Sequence, residues 1–263
     1  MQSPHEELNR ALAFIARVDE GAATEVREWR LGAALITPEL PRVWDASYFR
    51  VEDPGDGDGE RIADETTSIA RDAGLAHAAL VFTDDEVVAR FRPGLESAGF
   101  EEARFVLMAL REVPEAPEAE ITEVSFDDVA PSRRELTLEM FTGDEALADQ
   151  LHERDRRLDS TIGGRWFAIR DARGIVSRAW LLQADGVGQV EDVATTRSHR
   201  EKGLARSVVS TAARASSAAG NDLTFVIADD GATTPQLYRK TGFEPMGYRW
   251  RFVKRLRPAT AGR

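Results

Sequence analysis

The sequence contains no cysteine, which removes disulfides, zinc–thiolate centres and thiol nucleophiles together. Histidine is scarce as well. His5, His77, His152 and His199 are scattered without ligand spacing, so no metal is expected. No uninterrupted apolar run reaches the length of a membrane-spanning helix, and the first residues lack the basic, apolar, small-residue order of a leader. No membrane partner is expected, and the cytoplasm is the expected compartment.

Basic residues are in deficit in one half only. Residues 1–120 carry 26 Asp and Glu against 12 Lys and Arg, whereas residues 121–263 carry 20 against 22. The acidic half would repel a phosphate backbone, so a nucleic-acid partner is not expected. An acidic surface can attract a cationic amine, although solubility alone also accounts for one. With 42% apolar and 30% charged residues, the 263-residue chain suits one large globular domain or two ordinary ones.

Near the middle, Arg111-Glu-Val-Pro-Glu-Ala-Pro-Glu-Ala-Glu120 combines two prolines, small residues and acids without apolar periodicity. It reads as a linker over 112–120 between domains at 1–111 and 121–263. In the second domain, Pro131 to Phe141 and Glu145 to Leu158 carry helical spacing. Trp166–Arg170, Ile175–Gln183 and Gln189–Thr195 then read as strands joined by Asp171-Ala-Arg-Gly174 and Asp185-Gly186 turns. A helix from about Gly203 to Ala219, a buried strand Leu223–Ala228, a short helix Thr233–Lys240 and a strand through Tyr248, Trp250 and Phe252 complete it. The order predicts an α+β (mixed α/β) domain with a mostly antiparallel sheet flanked by helices.

The first half repeats several of these landmarks. Leu8–Val18 reads as a helix, Trp29–Thr37 and Val43–Val51 as strands, and Ile62–Ala73 as a helix ending at Gly74. Ala79–Phe82 reads as a buried strand, Val87–Ala98 as a helix before Gly99-Phe100, and Ala103–Leu110 as a final strand. Shared landmarks in one order predict two copies of one fold.

Chemistry concentrates after the Gln189–Thr195 strand. There a polar loop opens a helix through Arg200, Glu201, Lys202, Gly203, Leu204, Ala205 and Arg206. Exposed N–H groups at a helix start, with the helix dipole, favour an anion. Gly203 permits close approach of backbone to a pyrophosphate, and Arg200 and Arg206 add positive charge.

The segments Glu191-Asp-Val-Ala-Thr195, Arg200-Glu-Lys-Gly-Leu-Ala205 and Leu237-Tyr-Arg-Lys-Thr-Gly-Phe243 resemble the GNAT (GCN5-related N-acetyltransferase) superfamily. The resemblance covers residues 121–256 and extends more weakly to 1–111, as in tandem members with one degenerate copy. It implies an acyl-CoA-dependent N-acetyltransferase that moves an acetyl group from acetyl-CoA directly to an amine of a small molecule or peptide. By that resemblance, Val193, Ala194 and Thr195 splay from the neighbouring strand and bind the pantetheine arm. Residues Arg200 to Arg206 hold the pyrophosphate. Glu191 is the candidate base, with Asp192 the other carboxylate there, and Tyr238 stands where the family often has the phenol that donates to the departing thiolate. Arg197 stands where the family often has proline. Trp166, Trp180 and Trp250 are possible cleft aromatics, core being the commoner use of strand aromatics. The first half carries acidic Glu52-Asp-Pro-Gly-Asp-Gly-Asp-Gly-Glu60 in place of the basic loop and Leu95 in place of the tyrosine, so it reads as a silent copy. Its Asp/Gly spacing lacks the closing acid of a calcium loop and reads as a turn. The alternative is a module that binds acyl-CoA without turnover.

Overall fold

A computed structural model describes residues 4–256. The first half runs α1 (Pro4–Ala22), β1 (Glu25–Trp29), β2 (Gly32–Ile36), β3 (Tyr48–Val51), α2 (Gly59–Asp72), β4 (His77–Phe82), α3 (Asp85–Ser97) and β5 (Glu101–Leu110). The second half runs β6 (Thr122–Val124), α4 (Phe126–Met140), α5 (Glu145–Ile162), β7 (Arg165–Asp171), β8 (Gly174–Ala184), β9 (Val187–Thr195), α6 (Leu204–Ala218), β10 (Leu223–Asp229), α7 (Thr234–Arg239) and β11 (Phe243–Arg255). Residues 112–120 form neither helix nor strand. The fold is α+β, as the element order predicted.

Two compact units result, and neither is continuous in sequence. Among the described residues, the N-terminal unit joins Ala22–Phe105 to 248–256, and the C-terminal unit joins 4–21 to Val106–Gly247. This differs from the linear division expected at 112–120. Strands β5 and β11 each start in one unit and end in the other, and α1 falls almost wholly in the C-terminal unit.

The reason for the placement of α1 lies in its apolar stripe. Ala11, Phe14, Ile15 and Val18 recur at helical spacing and are all buried. Phe14 meets Phe225 of β10 edge-on, with ring centroids 5.9 Å apart. Around this contact Arg10 pairs with Asp222 at 2.5 Å, Arg111 with Glu7 at 2.7 Å, and Arg17 with Asp185. The exposed pairs contribute little individually, so the apolar stripe supplies most of the docking energy.

In the N-terminal unit, β1 and β2 form a hairpin, β2 pairs antiparallel with β3, β3 parallel with β4, and β4 antiparallel with β11. The single strand expected over Trp29–Thr37 is thus the second arm of a hairpin, and only Tyr48–Val51 of the predicted Val43–Val51 is strand. Helices α2 and α3 cover one face over a core that includes Ile62, Phe91, Leu95, Trp250 and Phe252. They touch through glycine. A Cβ on Gly59 would lie 2.2 Å from the Phe91 carbonyl oxygen, and one on Gly94 would lie 2.5 Å from the Glu60 nitrogen.

In the C-terminal unit, β6, β7, β8 and β9 form an antiparallel meander, and β10 pairs parallel with β9. Helix α4 starts at Phe126 rather than near Pro131. Ser125 and Asp128 form a reciprocal capping box, and Pro131 sits within the second turn. Trp166 and Trp180 stack at 4.5 Å and 12° and are each 1% exposed, while Trp250 is 4% exposed in the core of the N-terminal unit. All three are packing residues, so the possible cleft role does not hold.

Candidate active site

Strand β9 changes character halfway along. Its parallel pairing with β10 covers Val187–Val190 against Leu223–Val226, yet β9 continues to Thr195 and β10 to Asp229. On its other edge β9 stays paired with β8, but the register shifts: Trp180 faces Glu191, whereas Arg178 faces Ala194. One residue, Ala179, therefore opposes both Asp192 and Val193, which is a β-bulge. Asp192 takes φ 46 at the bulge. Beyond it, among the described residues, no strand pairs with Val193, Ala194 and Thr195 on the edge that faced β10, and all three residues are half-buried.

The chain leaves β9 through a 3-10 turn at Arg197–His199 and enters α6. His199 pins this turn: its Nδ1 lies 3.0 Å from Thr196 Oγ1, and its Nε2 lies 3.3 Å from Asp171 Oδ2 at the end of β7. The helix cap itself is Gly203 at φ 79, ψ −3, with no side chain capping the first turn. A Cβ there would meet nothing within 4 Å. Glu201 is also left-handed at φ 64, so the chain turns twice on itself just before the helix. Glu201, Lys202, Gly203 and Arg206 are exposed, Leu204 and Ala205 half-buried. No side chain caps the first-turn N–H groups, which sit at the positive end of the helix dipole, where an anion is favoured. Arg200 does not simply add charge. Its Nε donates to the Thr195 carbonyl at 3.2 Å, and Lys202 Nζ donates to the Ser198 carbonyl at 3.1 Å, so both side chains fold back over the loop.

The matching place in the N-terminal unit is filled. Asp58 caps α2 by accepting from the Arg61 amide at 2.8 Å, and α3 packs against that helix end through Gly59 and Gly94. Leu95 is fully buried there.

Tyr238 lies in α7, 4% exposed, with its ring edge-on to Phe243 at 6.0 Å. Burial, together with the negative charges of Glu191 and Asp192, pushes the phenol's pKa well above its ordinary value of 10.0. It therefore stays protonated at neutral pH. Glu191 is thus one of the two carboxylates whose charge acts on the Tyr238 phenol. Glu191 is half-buried and accepts from Gln189 Nε2 at 3.1 Å. Asp192 is committed elsewhere. Burial would raise its pKa, but Arg133 and Arg178 overcome that and hold it below the ordinary carboxylate value. Both guanidinium groups bond it directly, at 2.8 and 2.7 Å.

Beside the loop, a cleft of about 340 Å³ is lined by Glu135, Leu136 and Glu139 of α4 and by Thr196, Arg197 and Ser198. The roles of Arg133, Arg178 and His199 were not anticipated from the sequence. One signal was legible: Arg178 interrupts the apolar run from Ile175 to Leu182, and a charge buried in a strand needs a partner. Among the described residues, no group of three or more His, Asp or Glu is arranged to hold a metal. No described helix is long and apolar enough to cross a membrane.

The architecture is shared with several solved structures. The fold is similar to a GCN5-related N-acetyltransferase from Kribbella flavida, with a TM-score of 0.60 and 22% identity over 93% of this chain and 92% of that one. It is similar to a conserved protein of unknown function from Staphylococcus epidermidis, with a TM-score of 0.65 and 12% identity over 89% and 94% of the two chains. It also resembles a tandem GNAT protein from the clavulanic acid biosynthesis pathway, with a TM-score of 0.52 and 16% identity over 75% and 69%. The chain thus shares the fold of these structures. More narrowly, residues 169–251 match the FR47-like protein family, a stretch that takes in β8, β9, the 200–206 loop and α7. No curated protein matches the sequence significantly.

Proposed function

We propose that the protein is an N-acetyltransferase that moves an acetyl group from acetyl-CoA directly to an amine of a small molecule or peptide. The observation that carries this reading is the end of β9–β10 pairing at Val190 and Val226, followed by an uncapped α6 start at Gly203. The edge of Val193–Thr195 freed from β10 suits the amide groups of a pantetheine arm. The first-turn amides from Glu201 to Arg206, with Gly203 adding no side chain, suit the pyrophosphate. The capped and packed start of α2 offers no such place, which supports one acyl-CoA site per chain.

In the reaction, the neutral amine nitrogen attacks the thioester carbonyl carbon, an N–C bond forms, and the C–S bond breaks. The proton leaving the nitrogen goes to Glu191, directly or through water, and CoA departs as a thiolate. Tyr238 is the donor to that sulfur. A thiol has a pKa of about 8.5, below that of a phenol raised above 10.0, so full proton transfer is uphill. The greater part of its contribution is a hydrogen bond to the developing thiolate. Such a reaction draws on acetyl-CoA, in keeping with a cytoplasmic protein.

The test is CoA release from acetyl-CoA across a panel of amines, with longer acyl-CoAs as alternative donors. Amine-dependent release supports the reading. Tight acetyl-CoA binding with no release for any amine would make the protein an acyl-CoA-binding module instead. Failure of acetyl-CoA to raise the Tm at concentrations far above an ordinary Kd would overturn both.

A further inference from the structure

Asp192 occupies the left-handed region, which aspartate tolerates better than most residues with a Cβ but which within a strand still calls for a constraint. Its φ of 46 brings Cβ towards the following carbonyl oxygen, and in the middle of a strand no turn compensates. Two arginine forks supply the constraint. Arg178 of β8 reaches it through Nε at 2.7 Å and Nη2 at 3.4 Å, and Arg133 of α4 through Nε at 2.8 Å and Nη2 at 3.3 Å.

The forks are themselves fixed. Arg178, 3% exposed, also donates from Nη1 to Ser132 Oγ at 3.1 Å, and Arg133 donates from Nη1 to Asp155 of α5. Asp155, 1% exposed, accepts in turn from Arg154 Nη1 at 3.1 Å. Alternating charges therefore link β8, β9, α4 and α5 through buried and half-buried side chains. Desolvation makes such a network a poor source of net stability, and apolar side chains of similar volume would stabilise the unit as well. What apolar residues cannot do is impose a positive φ at one chosen residue.

That residue directly follows Glu191 and precedes Val193, and the bulge lies where pairing with β10 has just ended. Resting on the acetyl-transfer reading above, we infer that Asp192 is a positioning residue, which Arg133 and Arg178 use to lock the bulge and so set the Val193–Thr195 edge for acyl-CoA and Glu191 for Tyr238.

The test compares Asp192→Asn, which keeps shape and loses charge, with Asp192→Gly, which adopts φ 46 freely and loses both forks. Leu158→Ala, a cavity variant in α5, serves as the destabilised control. Acetyl-CoA affinity is measured calorimetrically, and CoA release gives KM and kcat. Both Asp192 variants should bind acetyl-CoA about tenfold more weakly and lose kcat as well, while Leu158→Ala loses Tm but binds like wild type. Wild-type affinity and kcat in both Asp192 variants would overturn the inference, as would an equal binding loss in Leu158→Ala. Should the Asp192 variants fail to fold, Arg133→Lys and Arg133→Met decide. Lys keeps the charge and should retain more affinity than Met, and equal wild-type binding by both would overturn the inference. If wild-type protein fails to bind acetyl-CoA, the acetyl-transfer reading falls and takes this one with it. If wild type binds and the variants match it, only the positioning role falls.

Discussion

Gly203 gives the sharpest test of the pyrophosphate site, because two substitutions there separate backbone strain from ligand repulsion. At φ 79 any side chain meets its own backbone, a penalty of about 1–2 kcal/mol. Space is not the obstacle, since a Cβ would have no neighbour within 4 Å. Gly203→Ala should therefore lower the Tm by about 2–8 °C and leave the core intact. Gly203→Glu carries the same strain and adds a carboxylate beside the donors. A unit charge about 4 Å from a phosphate charge is repelled by about 1 kcal/mol in bulk water and about 4 kcal/mol at an effective dielectric of 20. With two phosphates nearby, about 2 kcal/mol is a conservative figure, which weakens binding about 30-fold. Calorimetric titration with acetyl-CoA, run beside thermal melts, reads both quantities. The expectation is similar Tm loss in the two variants but a far larger affinity loss in Gly203→Glu, with the gap narrowing as salt rises. Wild-type affinity in a folded Gly203→Glu protein would refute the placement of the pyrophosphate at this loop.

Other perturbations test separate parts of the argument. Tyr238→Phe keeps the ring against Phe243 and should lower kcat about 10- to 100-fold with little change in acetyl-CoA affinity; unchanged kcat would leave Tyr238 a packing residue. Phe14→Ala should destabilise by about 3–5 kcal/mol by emptying its contact with Phe225, and a loss below about 1 kcal/mol would contradict the docking of α1 on the C-terminal unit. His77 is fully buried, with ring nitrogens 3.1 Å from the Pro41 carbonyl oxygen and 2.9 Å from that of Ser47. Burial lowers its pKa from the ordinary 6.5 despite both carbonyls and Asp45, with Arg251 acting in the same direction as burial. The unfolded chain then takes up the proton first, so His77's contribution is complete above pH 6.5 and fades as pH falls below it towards the folded-state value. The Tm should drop on acidification through that window and less steeply in His77→Gln; equal slopes would remove His77 as the cause.

The elements around the site were legible because their signals are local. The Gln189–Thr195 strand, the glycine before α6 and the Tyr238 to Gly242 interval follow from periodicity and turn chemistry, and β9, α6 and α7 lie within a few residues of those expectations. Other features left weak traces. Strand β1 is exposed at every residue but Trp29, so it has no apolar alternation by which to announce the hairpin. Pro131 resembled a helix start, and only the Ser125–Asp128 capping box reveals the earlier one.

The sequence alone determined most of the helices and strands, though not β1 or β6, and the helix start that follows β9, since these depend on neighbours a few residues away. Tertiary structure decided the partners. It placed α1 with the C-terminal unit, passed β5 and β11 from one unit to the other, and set Asp192 between two arginines 14 and 59 residues distant in sequence. The physical reason is common to all three. Apolar stripes and buried charges state what kind of partner they require, and only the closed fold supplies which one.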